Sequence, residues 1–514
     1  MLRPRGWRAS VAWHCVALAA LLLCLPAHAV WLDAAGRPSA SAREALRLLA
    51  DAASDGLAPA DYRVDELARQ AAALQGAAEA APEQLAAFES ALDAALRRYA
   101  HDLRLGRIDP RTLGFRVPRR AGEATDFTTL LHAAAAEQRL SQAVAELRPR
   151  VGQYGKLREA LAHYRALAAV EAPRLPAGRP VKPGERYAGA AALQRMLLAF
   201  GDLRADTPAS ADRYDAPLAQ GVRRFQARHG LAADGVLGAA TLAALNVPLA
   251  QRVQQLELAL ERLRWLPDLA AQPFVAINIP MFRLWARDPA MPAATPISMP
   301  VVVGRALDTQ TPVLFDDMRH VIFRPYWNVP RSILRNEVLP ALQRDPAWLR
   351  RNDMEIVRGA GDDAQPVALD AASLAGLRQG ALRVRQRPGP RNSLGLVKFI
   401  FPNDDNVYLH GTPATALFGR ARRDFSHGCV RVADPVGLAQ WVLRGEPQWT
   451  RERIEAAMAG PAPLRVDLKR PLPVILFYVT AMVIPADGAL HFADDIYGHD
   501  ARLARALAAR RPPG

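Results

Sequence analysis

Near residue 273 the hydrophobic period of this chain changes, so no single layer of structure can serve both parts. Before that point apolar side chains recur every three or four residues. Leu85, Phe88, Leu92, Leu96 and Tyr99 form one such stripe, and Tyr154, Leu157, Leu161 and Tyr164 another. That spacing puts each set on one face of an amphipathic helix. From Pro273 the pattern shortens: Phe274 to Ile279 alternates, and Pro300–Val303, Val321–Phe323 and Leu396–Phe401 are short apolar runs. Such runs read as strands. At 514 residues the chain is also too long for one ordinary core. It is expected to be multi-domain, helical first and mostly β later.

Residues 1–29 stand apart. Arg3, Arg5 and Arg8 precede an apolar run from Val11 to Leu25, and Ala27-His28-Ala29 offers a small-x-small cleavage site. The segment reads as a secretory signal peptide, which would send the protein to the periplasm; left uncleaved, it would act as an inner-membrane anchor. A lipid-modified Cys24 is disfavoured because Leu23 stands where a small residue is wanted. Cleavage would remove Cys15 and Cys24 and leave Cys429 as the one cysteine of three. A chain with one thiol forms no internal disulfide, and a lone thiol in an oxidising compartment is a liability unless it is used. The net charge of +15 suits an anionic polymer or membrane surface, although an arginine-rich composition accounts for it equally. Nucleic acid is not an expected partner of an exported chain.

Residues 30–170 carry helical stripes and no catalytic pattern, which makes them a helical scaffold. Pro173, Pro176, Pro180 and Pro183 mark 171–185 as a linker. In 186–248, Leu193, Met196, Leu197 and Phe200 suggest one helix, and Val222 and Phe225 a second that runs to His229. Asp234 to Leu242 forms a glycine-bearing turn into a third, with Thr241 near its start. The run F-Q-x-x-x-G-L-x-x-D-G-x-x-G-x-x-T resembles the three-helix peptidoglycan-binding domain of exported cell-wall enzymes. The fold follows from that resemblance; sugar or peptide binding follows less directly, and a spacer role stays open.

Residues 272–468 read as a mostly β domain, interrupted at about 331–387 by an insertion with helical features, a lid over the site. Residues 469–514 follow as a C-terminal segment. Asn403 to Asn406 is a turn signal between Leu396–Phe401 and Val407–His410, so His410 should end a strand, with Cys429 near the start of the next element. A thiol nucleophile needs a base, because free cysteine is only a few per cent ionised at neutral pH. It also needs donors for the oxyanion that forms at an attacked carbonyl. His410, His427 and the backbone around Gly428 offer both.

His410, fifteen intervening residues and Ser426-His427-Gly428-Cys429 resemble the signature of the L,D-transpeptidase (YkuD-like) catalytic domain. Pro388-Gly-Pro-Arg-Asn-Ser-Leu-Gly395 is similar to a second family segment, and the order of domains resembles the long proteobacterial branch. The resemblance implies that Cys429 is the nucleophile and His410 its base, oriented by the Gly411 carbonyl. It implies an oxyanion hole from the Gly428 and Cys429 amides with His427, a turn ordered by Ser426 and Arg431, and substrate contacts from Arg431, Ser426, Tyr408 and Asn392. The reaction implied is 3-3 cross-linking of peptidoglycan through a thioester, with release of D-alanine and no cofactor or metal. The partners implied are peptidoglycan stem peptides and carbapenem-type inhibitors, with other cell-wall synthases open. The same thioester could serve an L,D-carboxypeptidase or a protein-to-wall ligase, and a non-catalytic wall-binding scaffold is the reading from another class.

Other patterns are weaker. His410, His427 and Cys429 are acceptable zinc ligands but lack an evident fourth. His491, Asp494, Asp495 and His499 look metal-like, and structural hydrogen bonds are expected of them instead. Asp404 and Asp405 are adjacent turn residues that point apart, unlike a glycosidase pair. No S-x-x-K with K-T-G is present, which leaves penicillin-binding serine chemistry unsupported.

Overall fold

The computed structural model describes residues 30–118, 124–170, 173–210, 212–269, 272–291, 297–306 and 309–510. The expected signal peptide, with Cys15 and Cys24, lies outside the described residues. No helix among the described residues is long and apolar enough to cross a membrane. They divide into two compact units: 30–53, 57–102 and 124–147 in the first, and 54–56, 103–118 and 148–510 in the second.

The first unit is helical. Ala40–Ala50 is capped by the Ser39 hydroxyl and buries Ala42, Ala45 and Leu49. The stripe Phe88, Leu92, Leu96 and Tyr99 is buried along Pro82–Leu105. Asp102, fully buried there, accepts a hydrogen bond from the Tyr62 hydroxyl at 3.1 Å.

In the second unit the three expected module helices are Ala190–Ala199, Ala216–Arg228 and Ala239–Leu245. Their core is Leu193, Leu197, Tyr214, Val222, Phe225 and Leu237. The polar residues of the recognised motif serve the module itself. The buried Gln226 amide donates to Asp234, to the Val236 carbonyl and to Thr241, and accepts from the Gly235 N–H. The helix Gly152–Ala168, expected with the N-terminal scaffold, instead packs on Leu249–Leu263 in this unit.

The main sheet of this unit starts with β1 (Phe274–Asn278), β2 (Arg283–Arg287), β3 (Ile297–Gly304) and β4 (Leu314–Phe323). A small sheet follows, which begins before the expected boundary at 331: β5 (Trp327–Asn328), β6 (Met354–Arg358), β7 (Gln365–Val367) and β8 (Arg383–Gln386), in the order β5-β8-β6-β7. Expected as helical, the insertion thus has both helices and a four-stranded sheet around its own core of Leu334, Val338, Ile356, Leu377 and Val384. The main sheet resumes with β9 (Val397–Ile400), β10 (Leu409–His410), β11 (Asp424–Ser426), β12 (Val430–Val432) and β13 (Leu464–Phe477). Its order is β11-β3-β12-β10-β9-β4-β13-β1-β2, and β2 also pairs with the first half of β3, which closes the sheet on itself.

This order corrects the expected boundary at 468. β13 runs through that position and lies between β4 and β1, so the sheet needs residues 469–477. Beyond it, His499–Ala508 adds Leu503, Ala504 and Leu507 to the same core.

Candidate active site

Strand alternation builds the site. Leu409 pairs with Phe399 on one side and Val430 on the other, and all three are fully buried in the core. One residue on, His410 pairs with Lys398 of β9 and with Arg431 of β12. Paired residues share a face and neighbours along a strand take opposite ones, so Lys398, His410 and Arg431 form a row on the face away from that core. Tyr408 lies on the same face as His410, their rings 5.8 Å apart. Cys429, the residue before β12, is partly exposed beside them, its Sγ 3.7 Å from the Asn406 carbonyl.

His410 is buried, with Nδ1 2.5 Å from the Gly411 carbonyl oxygen. That carbonyl can only accept, so Nδ1 carries the proton and Nε2 is left as the base. Gly411 is held in turn by its N–H to the Val397 carbonyl and by the close passage of Gly395. Gly395 has φ +64°, and a Cβ there would come within 2.6 Å of the Thr412 nitrogen. The second family segment therefore ends in glycine because the chain beside His410 leaves no room for a side chain.

The turn before the nucleophile is fastened from within. The Ser426 hydroxyl donates to the Cys429 carbonyl at 2.6 Å and accepts from the Gly428 N–H at 3.3 Å. Thr311, buried, donates its hydroxyl to the Gly428 carbonyl at 2.7 Å and accepts from the Gly304 N–H. Gly428 has φ +110°, where L side chains are strained. Tyr497, from the C-terminal segment, donates to the Gly304 carbonyl at 2.6 Å and accepts from the Thr311 N–H, so that segment braces the turn.

Electrostatics set the resting state. Burial, aided by the Arg431 charge, pushes the His410 imidazole down to about 3. Burial raises the Cys429 thiol, opposed by Tyr408 through its backbone and hydroxyl and by the charges of Arg431 and Lys398. Each partner alone is therefore held neutral. A thiolate and an imidazolium formed together would stabilise one another.

Asn392 and Gly428 are placed otherwise than expected. Asn392 is 1% exposed, and its amide donates to the Pro325 and Arg387 carbonyls and accepts from the Leu394 N–H; it orders the loop and does not face a substrate. Ser426 is 2% exposed and orders the turn. The Gly428 N–H is turned to Ser426, which removes it from the expected oxyanion donors. His427 reaches the insertion, with Nε2 2.9 Å from a Glu337 carboxylate oxygen. The residues sequence reasoning missed are Lys398 and Thr311; the lysine's signal was a polar residue inside an otherwise apolar strand.

The metal-like set is otherwise engaged: His491 pairs with Asp487 at 2.7 Å, and Asp495 accepts from the Tyr478 hydroxyl at 2.7 Å. Among the described residues no group of three or more His, Cys, Asp or Glu could hold a metal ion. A cleft of about 310 Å³ lies elsewhere, lined by residues including His229, Met281, Phe282, Arg283 and Arg423, and it includes none of the groups around Cys429.

Three segments match known families. Residues 272–450 match the L,D-transpeptidase catalytic domain, 186–245 a "putative peptidoglycan binding domain" and 27–161 a scaffold domain. A curated Haemophilus influenzae protein named "Putative L,D-transpeptidase" is 33% identical over 251 residues, 49% of this chain and 49% of that protein. The matched stretch thus spans about half the length of that relative.

Proposed function

We propose that this chain, which carries an L,D-transpeptidase catalytic domain beside a peptidoglycan-binding module and a scaffold domain, is an exported cysteine transpeptidase that makes 3-3 cross-links in peptidoglycan. The observation that carries the reading is His410, its Nδ1 tied to the Gly411 carbonyl and its Nε2 left as a base, one strand from Cys429.

The donor is a tetrapeptide stem with a diamino acid at position three and D-alanine at position four. As Sγ attacks the carbonyl between them, the thiol proton passes to His410 Nε2 and the carbonyl electrons move to oxygen. The Cys429 N–H is the backbone donor left at the turn for that oxyanion; one such donor is worth about 10²–10³ in rate. Collapse breaks the C–N bond, His410 returns the proton to the leaving amine, and D-alanine departs from a thioester. The side-chain amine of a second stem then attacks, losing its proton to His410, and the C–S bond breaks. The Glu337–His427 contact supports a lid role for the insertion over this face.

Mass analysis of wall fragments incubated with the protein, beside Cys429→Ala, tests the reading. Dimers joined through two diamino acids are expected, and the variant should form none. Tripeptides alone would make the protein a carboxypeptidase, and a product attached to another protein a ligase. Absence of any product from the folded, unaltered protein would sink the enzymatic reading. A carbapenem should add its mass at Cys429 and nowhere else.

A further inference from the structure

Lys398 sits in the centre of the site with no role in the chemistry above. It pairs in register with His410, which pairs in register with Arg431, so two cationic side chains flank the histidine on the face that carries Cys429. Neither has a carboxylate within ion-pair range among the described residues. Arg431 is half-buried, and its Nε is a buried donor without a hydrogen-bond partner. Lys398 is itself half-buried, and the negative groups that act on it are Asp362, from the loop between β6 and β7, and Cys429. A cation held out of water keeps its charge only where negative charge answers it. Here the nearest group able to supply that charge in the sheet is the thiol.

We propose that Lys398 is a positioning residue for charge: with Arg431 it forms a two-cation cradle that makes the Cys429 thiol easier to ionise, so that the thiolate formed as its proton leaves for His410 meets positive charge on both sides. The inference rests on Cys429 being the nucleophile.

The cradle answers a difficulty in the site. His410 cannot serve as a standing counter-ion, because its burial and its tie to Gly411 keep it neutral at rest. The groups that act on the sulfur are Tyr408, Arg431 and Lys398, with His410 on the strand between the two cations. Arg305 lies behind Arg431 and opposes its charge, while Glu337 is occupied by His427. Thus the positive charge available to a thiolate comes from β9 and β12, and the proton acceptor from β10 between them. Burial draws the Lys398 ammonium below its usual range, and a thiolate would hold it charged. By the same coupling, a neutral side chain at 398 should leave the thiol harder to ionise.

The test is the pH dependence of Cys429 alkylation by iodoacetamide in the full chain, read by mass on the peptide that contains it. Lys398→Met should move the alkylation midpoint upward and slow the reaction at pH 7 by about three- to tenfold, since each unit of thiol pKa changes the thiolate fraction about tenfold. At pH values above the midpoint the variant should reach the same plateau. Lys398→Arg should restore the midpoint, and Lys398→Gln gives a second neutral variant if the methionine disturbs folding. A midpoint unmoved in a folded neutral variant overturns the proposal. So does a midpoint unmoved with a raised KM for the tetrapeptide, which would assign Lys398 to a substrate carboxylate. Normal, Lys398-dependent alkylation without any product from wall fragments would instead overturn the transpeptidase reading and leave the cradle standing.

Discussion

Asn392 shows how a residue in a recognised segment can matter without meeting substrate. Its buried amide donates to the Pro325 and Arg387 carbonyls and accepts from the Leu394 N–H. Asn392→Ala would strand those groups, at about 1–3 kcal/mol for each one left unsatisfied. The expected outcome is a lower urea midpoint with the KM of the folded fraction unchanged; a raised KM at unchanged stability would return Asn392 to the substrate. Gly428 belongs to the same class of constraint. Space is not what excludes a side chain there, since a Cβ would meet its nearest neighbours at 3.8 and 3.9 Å; the positive φ is. His410 and Cys429 were legible from their spacing because the chemistry needs both. Lys398 was not, since a lysine in a half-buried strand reads as solvent-facing until its register with His410 is known.

β13 was the element least visible in advance. Pro471 and Pro473 within it argue against a central strand, because proline lacks the ladder N–H. The register shift between Asp467 and Leu472 takes up Pro471: the strand breaks step there, and regular pairing resumes from Leu472 to Leu476 with Pro473 opposite Asp317. It also carries Val474, Ile475 and Leu476 between β4 and β1. A chain ended at residue 468 should therefore fail to fold its catalytic domain, seen as lost near-ultraviolet circular dichroism and no carbapenem adduct. A folded, reactive product of that truncation would contradict the topology. The insertion was half visible: its helices show in composition, while β6, β7 and β8 are three to five residues long and pair only with each other and β5.

Across the second unit, several histidines are buried in the neutral form. His410 is pushed down to about 3 and His499 to about 4, both first by burial, and His229 is well below its usual range. Unfolded histidine takes up a proton near pH 6.5. Below that pH the unfolded chain binds protons that the folded chain cannot, so stability should fall as pH drops from about 6.5 toward 4. The measurement is the urea midpoint across pH 7.5 to 4.5. His499→Phe should flatten part of the slope, and a midpoint independent of pH would refute the argument.

By itself the sequence determined the classes of element and pointed to His410 and Cys429 as the pair the proposed chemistry needs. Helical and strand periods are local properties, and a nucleophile with its base must be of particular types at particular spacing. Which strand lies beside which was decided by tertiary packing alone. Sheet order puts Lys398 and Arg431 on either side of His410 and sets β13 between β4 and β1. Those facts depend on pairing between residues up to about two hundred positions apart, as β1 with β13 shows, and no window along the chain contains them.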